Sequence, residues 1–354
     1  MNRKPVKLIV FFILMFIMSC NEPETVVTNY VHPDGSVTRK LEMKSIEGDK
    51  NKRFKISEIQ VPFDITWSIK DSFALSKKND TIWFRTAEKL FKNVEELNLA
   101  YKSDSGANKG LSRETGFSKK FKWFNTEYRY SEKIDKNFSS GYPVKEFMNE
   151  EELRYFYSPE TLKETEASGA DSLKYKALGD SVKLKTDDWT AHNIISEWIS
   201  EFSKLTAARK DEEITFQLLK SKEHGFVKEI EKDDKGLDSL WKNGIILKKF
   251  IGEKNAVKYR IEADSALSMV TKKLMLNFSD YSLRIAMPGR LIGTNGFIDS
   301  SHILLWPVKS DYFFTEPYEM WAESKTTNIW TWVVSGLFLA FVVTGVIVRL
   351  IKKD

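Results

Sequence analysis

The most restrictive feature of this chain is a run of 23 residues without a charge, between Lys325 and Arg349. An apolar run of that length spans a bilayer as one helix. Amphipathic rings favour the membrane interface, and basic residues favour the cytoplasmic side. The sequence therefore predicts a transmembrane helix over residues 326–349 and a basic cytoplasmic tail over residues 350–354. The predicted interface anchors are aromatic residues near the start of the helix and basic residues after it: Trp321, Trp330, Trp332, Arg349, Lys352 and Lys353.

A second membrane signal opens the chain. Three basic residues precede an apolar run from Leu8 to Met18, a pattern typical of a secretory signal peptide and too short to span a bilayer. The residues Ile17-Met18-Ser19-Cys20 resemble a bacterial lipobox. That resemblance implies removal of residues 1–19 and acylation of Cys20, including diacylglyceryl transfer to its thiol. The alternative is an ordinary signal peptide or N-terminal anchor that contains an incidental cysteine.

Together, the two ends predict a single-pass lipoprotein of the bacterial cytoplasmic membrane with an extracytoplasmic ectodomain and a cytoplasmic C-terminus. Its lipid partners would be those around the acylated Cys20 and the C-terminal helix. The helix carries Gly336, Ala340 and Thr344 at the small-residue spacing that packs helices in membranes. This spacing would allow a homo-oligomer to form through the helix.

The charge of the chain excludes one class of partner. Its formal net charge of +5 comes from the ends, because the region between them carries equal numbers of basic and acidic residues. A neutral ectodomain lacks the excess positive charge with which proteins neutralise nucleic-acid phosphates. We therefore expect no nucleic-acid partner. Since Cys20 is the only cysteine, an intramolecular disulfide is excluded as well.

Hydrophobic periodicity divides the ectodomain into three parts. Residues 20–143 are β-rich, since Ile59 to Ile69 alternate apolar and polar side chains and Pro33-Asp34-Gly35 is a typical hairpin turn. Residues 144–270 are mainly helical, because apolar residues recur there at helical spacing. Residues 271–325 return to strand-like alternation.

These parts predict an α+β fold. We expect the N-terminal and C-terminal strands to share one curved antiparallel β-sheet, with a large, mainly helical insertion covering one side. The C-terminal transmembrane helix adds to this ectodomain. Residues 102–116, rich in Gly, Ser, Lys and Asn, predict a mobile loop within the β-rich part.

The C-terminal strands resemble a known family. A strand ending in Met287-Pro288-Gly289, then Asn295-Gly296, then a strand with Trp306 before a C-terminal span is similar to the LppM-type envelope lipoprotein domain. The order of lipobox, β-rich ectodomain, single helix and basic tail is similar too. The resemblance implies an α+β fold with a half-barrel-like sheet that contacts lipid or a partner. It implies no catalytic residues.

One stretch, residues 117–124, interleaves basic and aromatic residues. Its candidate contact residues are Lys119, Lys120, Phe121, Lys122 and Trp123. Its simplest interpretation is a strand with core aromatics and solvent-facing lysines. Two functional alternatives remain, which are contact with anionic lipid headgroups and a partner-binding edge.

The sequence carries no recognisable catalytic or metal-binding motif. Its four histidines form no metal-binding spacing, and no nucleophile elbow or phosphate loop is present. We expect no metal and no cofactor. Asp187 and Asp188 are expected to stabilise the N-terminus of a helix that follows them. An exported hydrolase that uses Asp188 and His192 is the weakest functional alternative.

These observations favour a non-enzymatic protein-interaction or assembly module of the bacterial cell envelope, held at the membrane. The first alternative is a lipid- or amphiphile-binding module that uses the concave face of the sheet, and the second is an exported hydrolase. An envelope protein is the expected partner of the favoured function.

Overall fold

The structure is a computed structural model. It describes residues 24–45, 54, 63–76, 80–103, 111–160, 162–163, 172–209, 213–232, 241, 244–274, 278–299 and 303–352. The predicted signal peptide, Cys20 and Lys353 lie outside the described residues.

The first part of the chain forms strands around one helix. These elements are β1 (Glu24–Val31), β2 (Val37–Ser45), β3 (Ser68–Leu75), β4 (Thr81–Phe91), α1 (Val94–Lys102), β5 (Arg113–Lys122) and β6 (Asn125–Ile134). The middle is helical, with α2 (Glu150–Tyr157), α3 (Ser172–Ala207), α4 (Phe216–Lys232), α5 (Ile245–Ile251), α6 (Glu253–Lys258) and α7 (Arg260–Leu274). Strands then return as β7 (Tyr281–Ala286), β8 (Arg290–Thr294), β9 (Phe297–Ile298), β10 (Leu304–Val308) and β11 (Tyr318–Thr327), before α8 (Ile329–Ile351).

The predicted α+β class is confirmed, and so is the large helical insertion. The strands form two sheets, however, where one was expected. The larger has the order β3-β4-β2-β1-β7-β10-β9, and the smaller has the order β5-β6-β11-β8. N-terminal and C-terminal strands do share both sheets, but β1 and β7 meet in parallel. The two sheets pack face to face, so the strands form a sandwich around one apolar core.

A buried polar cluster crosses the core of the sandwich. Arg39 is fully buried on β2, and its Nη1 lies 3.0 Å from Glu132 Oε1 on β6. Glu132 also accepts hydrogen bonds from the hydroxyls of Tyr130 and Tyr101 and from the amide of Asn29. A buried charge is tolerated when it is paired and hydrogen-bonded in this way. The cluster therefore fixes the register of one sheet against the other.

The helical part has a separate core. Trp198 of α3 lies at its centre, 1% exposed, and its indole nitrogen donates to the carbonyl of Ala263 at 3.1 Å. This core meets the sandwich at the start of β11, because Tyr318 packs against both apolar cores. The helices thus form a body attached to one end of the sandwich.

Helix α2 begins with a capping box, and this gives a testable dependence on pH. Asn149 accepts from the backbone of Glu152, whose carboxylate accepts from the backbone of Asn149, and Lys185 donates to that carboxylate at 2.6 Å. The hydrogen bond from Lys185 is the main cause that lowers the pKa of Glu152 below its ordinary value of 4.5. The ionised carboxylate therefore stabilises the fold above pH 4.5, and this stabilisation is lost as pH falls through the lowered pKa.

Replacing Glu152 by Gln should destabilise the protein at pH 7 by about 1 kcal/mol, because Gln can keep the bond to the backbone of Asn149 but carries no charge for Lys185. Thermal unfolding of the full chain in detergent, recorded at pH 7 and at decreasing pH, measures the difference. The difference in unfolding temperature between the wild type and Glu152→Gln should become smaller below pH 4.5, since the wild-type carboxylate then protonates. If this difference in unfolding temperature stays constant with pH, the charge of Glu152 does not stabilise the fold.

Three local expectations differ from the structure. Asp64 to Trp67 form a turn, so β3 begins only at Ser68. The residues that begin the predicted Ile59 strand lie outside the described residues. The expected loop 102–116 is already strand from Arg113 onward, where β5 pairs with β6. Asp187 and Asp188 lie in the middle of α3, not at a helix start, because that helix begins at Ser172.

Candidate functional site

The junction between the sandwich and the apolar helix is very short. Strand β11 remains paired up to Thr327, which lies opposite Asn125 of β6, and α8 begins at Ile329. The helix therefore starts later than residue 326, because Thr326 and Thr327 still belong to the sheet. Among the residues described, α8 is a helix of 23 residues that is long and apolar enough to cross a membrane, and its most apolar 18 residues have a mean hydropathy of 2.3 and are not buried. A single residue, Asn328, separates sheet and helix.

Asn328 is held by the turn between β5 and β6. Its backbone N–H donates to the carbonyl of Phe124 at 3.0 Å, and its side-chain amide donates to the carbonyl of Lys122 at 2.8 Å. Its side-chain oxygen accepts from the hydroxyl of Thr126 at 2.9 Å. Because one residue makes all three bonds, the start of α8 is fixed to the β5–β6 hairpin.

Aromatic rings strengthen the same contact. Phe121 stacks on Trp330 with ring centroids 6.1 Å apart, and Trp123 meets Trp330 edge-on at 5.7 Å. Phe124 packs on Trp332 at 4.4 Å. We call these five residues, Phe121, Trp123, Phe124, Trp330 and Trp332, the aromatic collar. Each keeps between 41% and 56% of its surface exposed, as rings that lie at a membrane interface do.

One polar bond extends the collar further along the helix. The indole nitrogen of Trp123 donates to the hydroxyl of Ser335 at 2.9 Å. Ser335 lies six residues after Ile329, so the hairpin follows the helix for about 9 Å. The contact therefore covers almost two helical turns and resists bending at Asn328.

The lysines of the predicted contact stretch are exposed around the collar. Lys119 donates to the carbonyl of Pro33 at 3.0 Å, and Lys122 pairs with Glu127 of β6. Lys120 is also exposed, on the strand between them. The structure thus brings the basic and aromatic residues of this stretch to the start of the apolar helix. That position is where anionic headgroups would meet them if the helix crosses a bilayer.

The other predicted anchors are more dispersed. Trp321 lies on β11 six residues before Thr327, about 20 Å along the strand, and the guanidinium of Arg129 covers its ring at 4.8 Å. It is therefore not part of the collar. Arg349 and Lys352 lie at the far end of α8.

The proposed helix-packing face is exposed along α8. Nothing lies within 4 Å of a Cβ placed on Gly336, and the hydroxyl of Thr344 donates to the carbonyl of Ala340 within the helix. Self-association through Gly336, Ala340 and Thr344 stays a prediction.

The helical body holds a small polar cluster that contains His192. Its Nδ1 lies 3.1 Å from Asp188 Oδ1, and its ring lies 6.0 Å from that of His224. The hydroxyl of Tyr142 donates to Glu223 at 3.1 Å nearby. Within the described ranges, no three metal-ligating side chains are arranged to hold an ion. The Asp188–His192 pair is an i, i+4 contact on one helix, an arrangement that also occurs without any catalytic role.

Sequence reasoning missed two residues that hold the collar to the helix. Phe124 ends the interleaved stretch, although it was not among the candidate contact residues, and Asn328 and Ser335 had no assigned role. A signal was present, since the pair Trp123-Phe124 lies between two strand-like runs and aromatic residues also begin the apolar helix. The pairing between them depends on the register of β6 with β11, which no local pattern reveals.

No protein-family model matches the chain, and no curated protein matches it. Among solved structures, the NMR structure of the folded domain of Mycobacterium tuberculosis LppM is similar in part. The two are 9% identical, the match covers 87% of this chain and 92% of that one, and the TM-score is 0.27. The chain thus has a distant structural resemblance to an LppM domain.

Proposed function

We propose that this protein is a membrane-anchored, non-enzymatic interaction module of the cell envelope, which holds a partner-binding body in a fixed orientation at the membrane surface. One observation carries the proposal. The ectodomain joins its apolar helix through a single residue, and the aromatic collar braces that joint. A tethered enzyme that acts on soluble substrates does not depend on a fixed orientation relative to the membrane. A module that presents a binding surface to a partner does depend on it.

The lipid-binding alternative would need an open groove on the concave face of the sheet. That face is packed against the smaller sheet, where Leu41 and Leu283 of one sheet and Ala322 of the other are fully buried. The described sandwich therefore leaves no room for an amphiphile between its sheets. Lipid contact is better supported outside the sandwich, at the exposed rings and lysines of the β5–β6 hairpin.

The proposal predicts that partner contact depends on the stiffness of the joint. A photo-crosslinking amino acid at Val257 or Ile261, both 73% exposed on the helical body, reports contact in growing cells. Insertion of a short Gly-Ser linker between Thr327 and Asn328 should lower the yield of a discrete crosslinked product several-fold, because the body then samples many orientations.

The matched control is the same linker inserted after Lys352, which leaves the joint intact. It should preserve the crosslink. Equal yields from both insertions, or no discrete product at either probe position, would contradict the proposed function.

The collar itself can be tested by one substitution. Trp123→Ala removes the ring contact with Trp330 and the bond to Ser335, so a spin label on the sandwich should become more mobile relative to the bilayer. Electron paramagnetic resonance on the full chain in nanodiscs measures this. Trp321→Ala is the control, since Trp321 lies outside the collar. Equal mobility in the two variants would show that the collar does not stiffen the joint.

A further inference from the structure

The register of the strands places the two ends of the ectodomain far apart. The chain leaves the sandwich at Thr327, beside the β5–β6 turn. The turn between β1 and β2 lies towards the same end, because Lys119 Nζ donates to the carbonyl of Pro33 at 3.0 Å. Strand β1 runs from Glu24 towards that turn. Glu24 therefore lies at the opposite end of the sandwich.

The position of strand β7 independently places Glu24 at the end of the sandwich opposite the joint. It runs parallel to β1, with Ala286 opposite Tyr30. Gly289 follows it with φ at +78°, and a Cβ there would lie 2.4 Å from the carbonyl oxygen of Lys325. The C-terminal ends of β1 and β7 thus lie near the start of α8. Glu24 lies six residues before Tyr30, and Gly289 lies three residues after Ala286, so Glu24 is about 30 Å from the joint.

The predicted acylation site is too close to Glu24 to cover that distance. Four peptide units join Cys20 to Glu24, and a fully extended chain spans at most about 14 Å over four residues. If the strands stood upright on the bilayer, an acyl group on Cys20 would end well above the leaflet that α8 enters. Both anchors reach one membrane only if the sandwich lies on its side.

We infer that the ectodomain lies on its side and that strand β3 is the edge that rests on the lipid bilayer. The inference depends on the proposed membrane anchoring and on the acylation of Cys20. β3 is the end strand of the larger sheet, and every one of its residues is exposed. It nevertheless carries three large apolar side chains on one face: Ile69, Phe73 and Leu75. Exposed apolar edge strands invite aggregation unless something covers them.

The distances agree with this orientation. Three strand spacings, β1 to β2 to β4 to β3, separate β1 from the edge, which amounts to about 14 Å. A bilayer under β3 is therefore about as far from Glu24 as Cys20 can reach. The apolar residues lie at the same end as Glu24, because Phe73 pairs with Trp83, and Trp83 pairs with Ser45 at the end of β2.

Charge is compatible with a lipid surface along this edge. Asp71 is bound by Arg85, with Nε and Oδ1 at 2.8 Å, and Asp64 is bound by Lys89 at 3.0 Å. Their carboxylates are thus compensated, while Lys70 is exposed on the strand. The carboxylates of Asp71 and Asp64 would therefore repel anionic headgroups only weakly.

The opposite edge supplies a matched control. It ends in the two-residue strand β9, where Ile298 is 54% exposed, against 64% for Phe73. It also lies three strand spacings from β1. Of the two edges of the larger sheet, as far as the structure describes them, only β3 carries a row of large exposed apolar residues. Helix α1 packs against β5, which belongs to the hairpin that holds α8.

The test uses the full acylated chain in vesicles of phosphatidylethanolamine and phosphatidylglycerol that contain a bromine-labelled acyl chain. The acylated thiol of Cys20 is blocked, so Phe73→Cys or Ile298→Cys introduces the single reactive thiol for a fluorescent label. An apolar surface that enters the interface is buried about 5–10 Å deep, so the label at 73 should be quenched roughly threefold more than the label at 298.

Each outcome decides the inference. Stronger quenching at 73 supports it, whereas equal quenching or stronger quenching at 298 overturns it. Intact mass of the same sample reports the acyl group, and an unmodified Cys20 would also overturn it. Failure here leaves the crosslinking result at Val257 and Ile261 untouched, so the two proposals fail separately.

Discussion

Replacing Glu132 by Gln should lower the free energy of unfolding by about 3–5 kcal/mol. The substitution keeps the volume of the side chain but leaves Arg39, which is fully buried, without its counter-charge. Two tyrosine hydroxyls and the amide of Asn29 also lose a carboxylate acceptor. Thermal unfolding of the full chain in detergent should show a midpoint lowered by about 10 °C.

The control is Asp71→Asn, which breaks a two-bond pair with Arg85 on the exposed β3 edge. Exposed ion pairs contribute about 0–1 kcal/mol, so this midpoint should hardly move. The double variant Arg39→Met with Glu132→Leu should recover part of the loss, because it removes both buried charges. If Glu132→Gln unfolds at the wild-type temperature, the buried cluster does not hold the two sheets together.

Replacing Trp198 by Ala should destabilise the helical body by about 3–5 kcal/mol, since it leaves a large cavity in a packed core. Four aromatic rings surround the indole, with centroids between 4.9 and 5.7 Å away: Phe202, Phe226, Trp241 and Phe250. The two apolar cores are built from different buried residues. Hydrogen exchange should therefore increase in α3 and α7 and stay low in β1 and β6.

Leu173→Ala is the control on the same helix, because Leu173 is 84% exposed. It should leave hydrogen exchange unchanged in all segments. If Trp198→Ala instead raises exchange equally in the helices and in the sandwich, the two cores unfold as one cooperative unit.

Local patterns predicted the elements whose residues carry strong periodicity. The mainly helical character of residues 144–270 was predicted from apolar spacing, and helices α2 to α7 lie between Glu150 and Leu274. The apolar helix was predicted from length and composition alone. In each case one face of the element is buried, or the whole element is apolar, so the sequence itself shows the period.

Long-range pairing left no such signal. β1 and β7 pair in parallel although about 250 residues separate them, and only the three-dimensional structure shows that they meet. β11 was not distinguished as a separate strand within residues 271–325, since its inward residues Ala322 and Ser324 are small and its outward Trp321 is aromatic. The aromatic collar was predicted only in part, because its contacts also depend on long-range strand pairing. The composition of Lys119 to Trp123 identified the stretch, but its contacts depend on β6 pairing with β11.

The one-residue joint at Asn328 couples the ectodomain to the rotation of the helix about its own axis. Each residue of an α-helix advances that rotation by about 100°. Deleting or adding one residue just beyond the collar would leave the joint unchanged but turn the membrane-embedded part of α8 by that angle relative to the sandwich. The direction in which the sandwich points around the axis of α8 is therefore set by helical phase. A helix neighbour that binds one face of α8 would in this way select which surface of the ectodomain points outward.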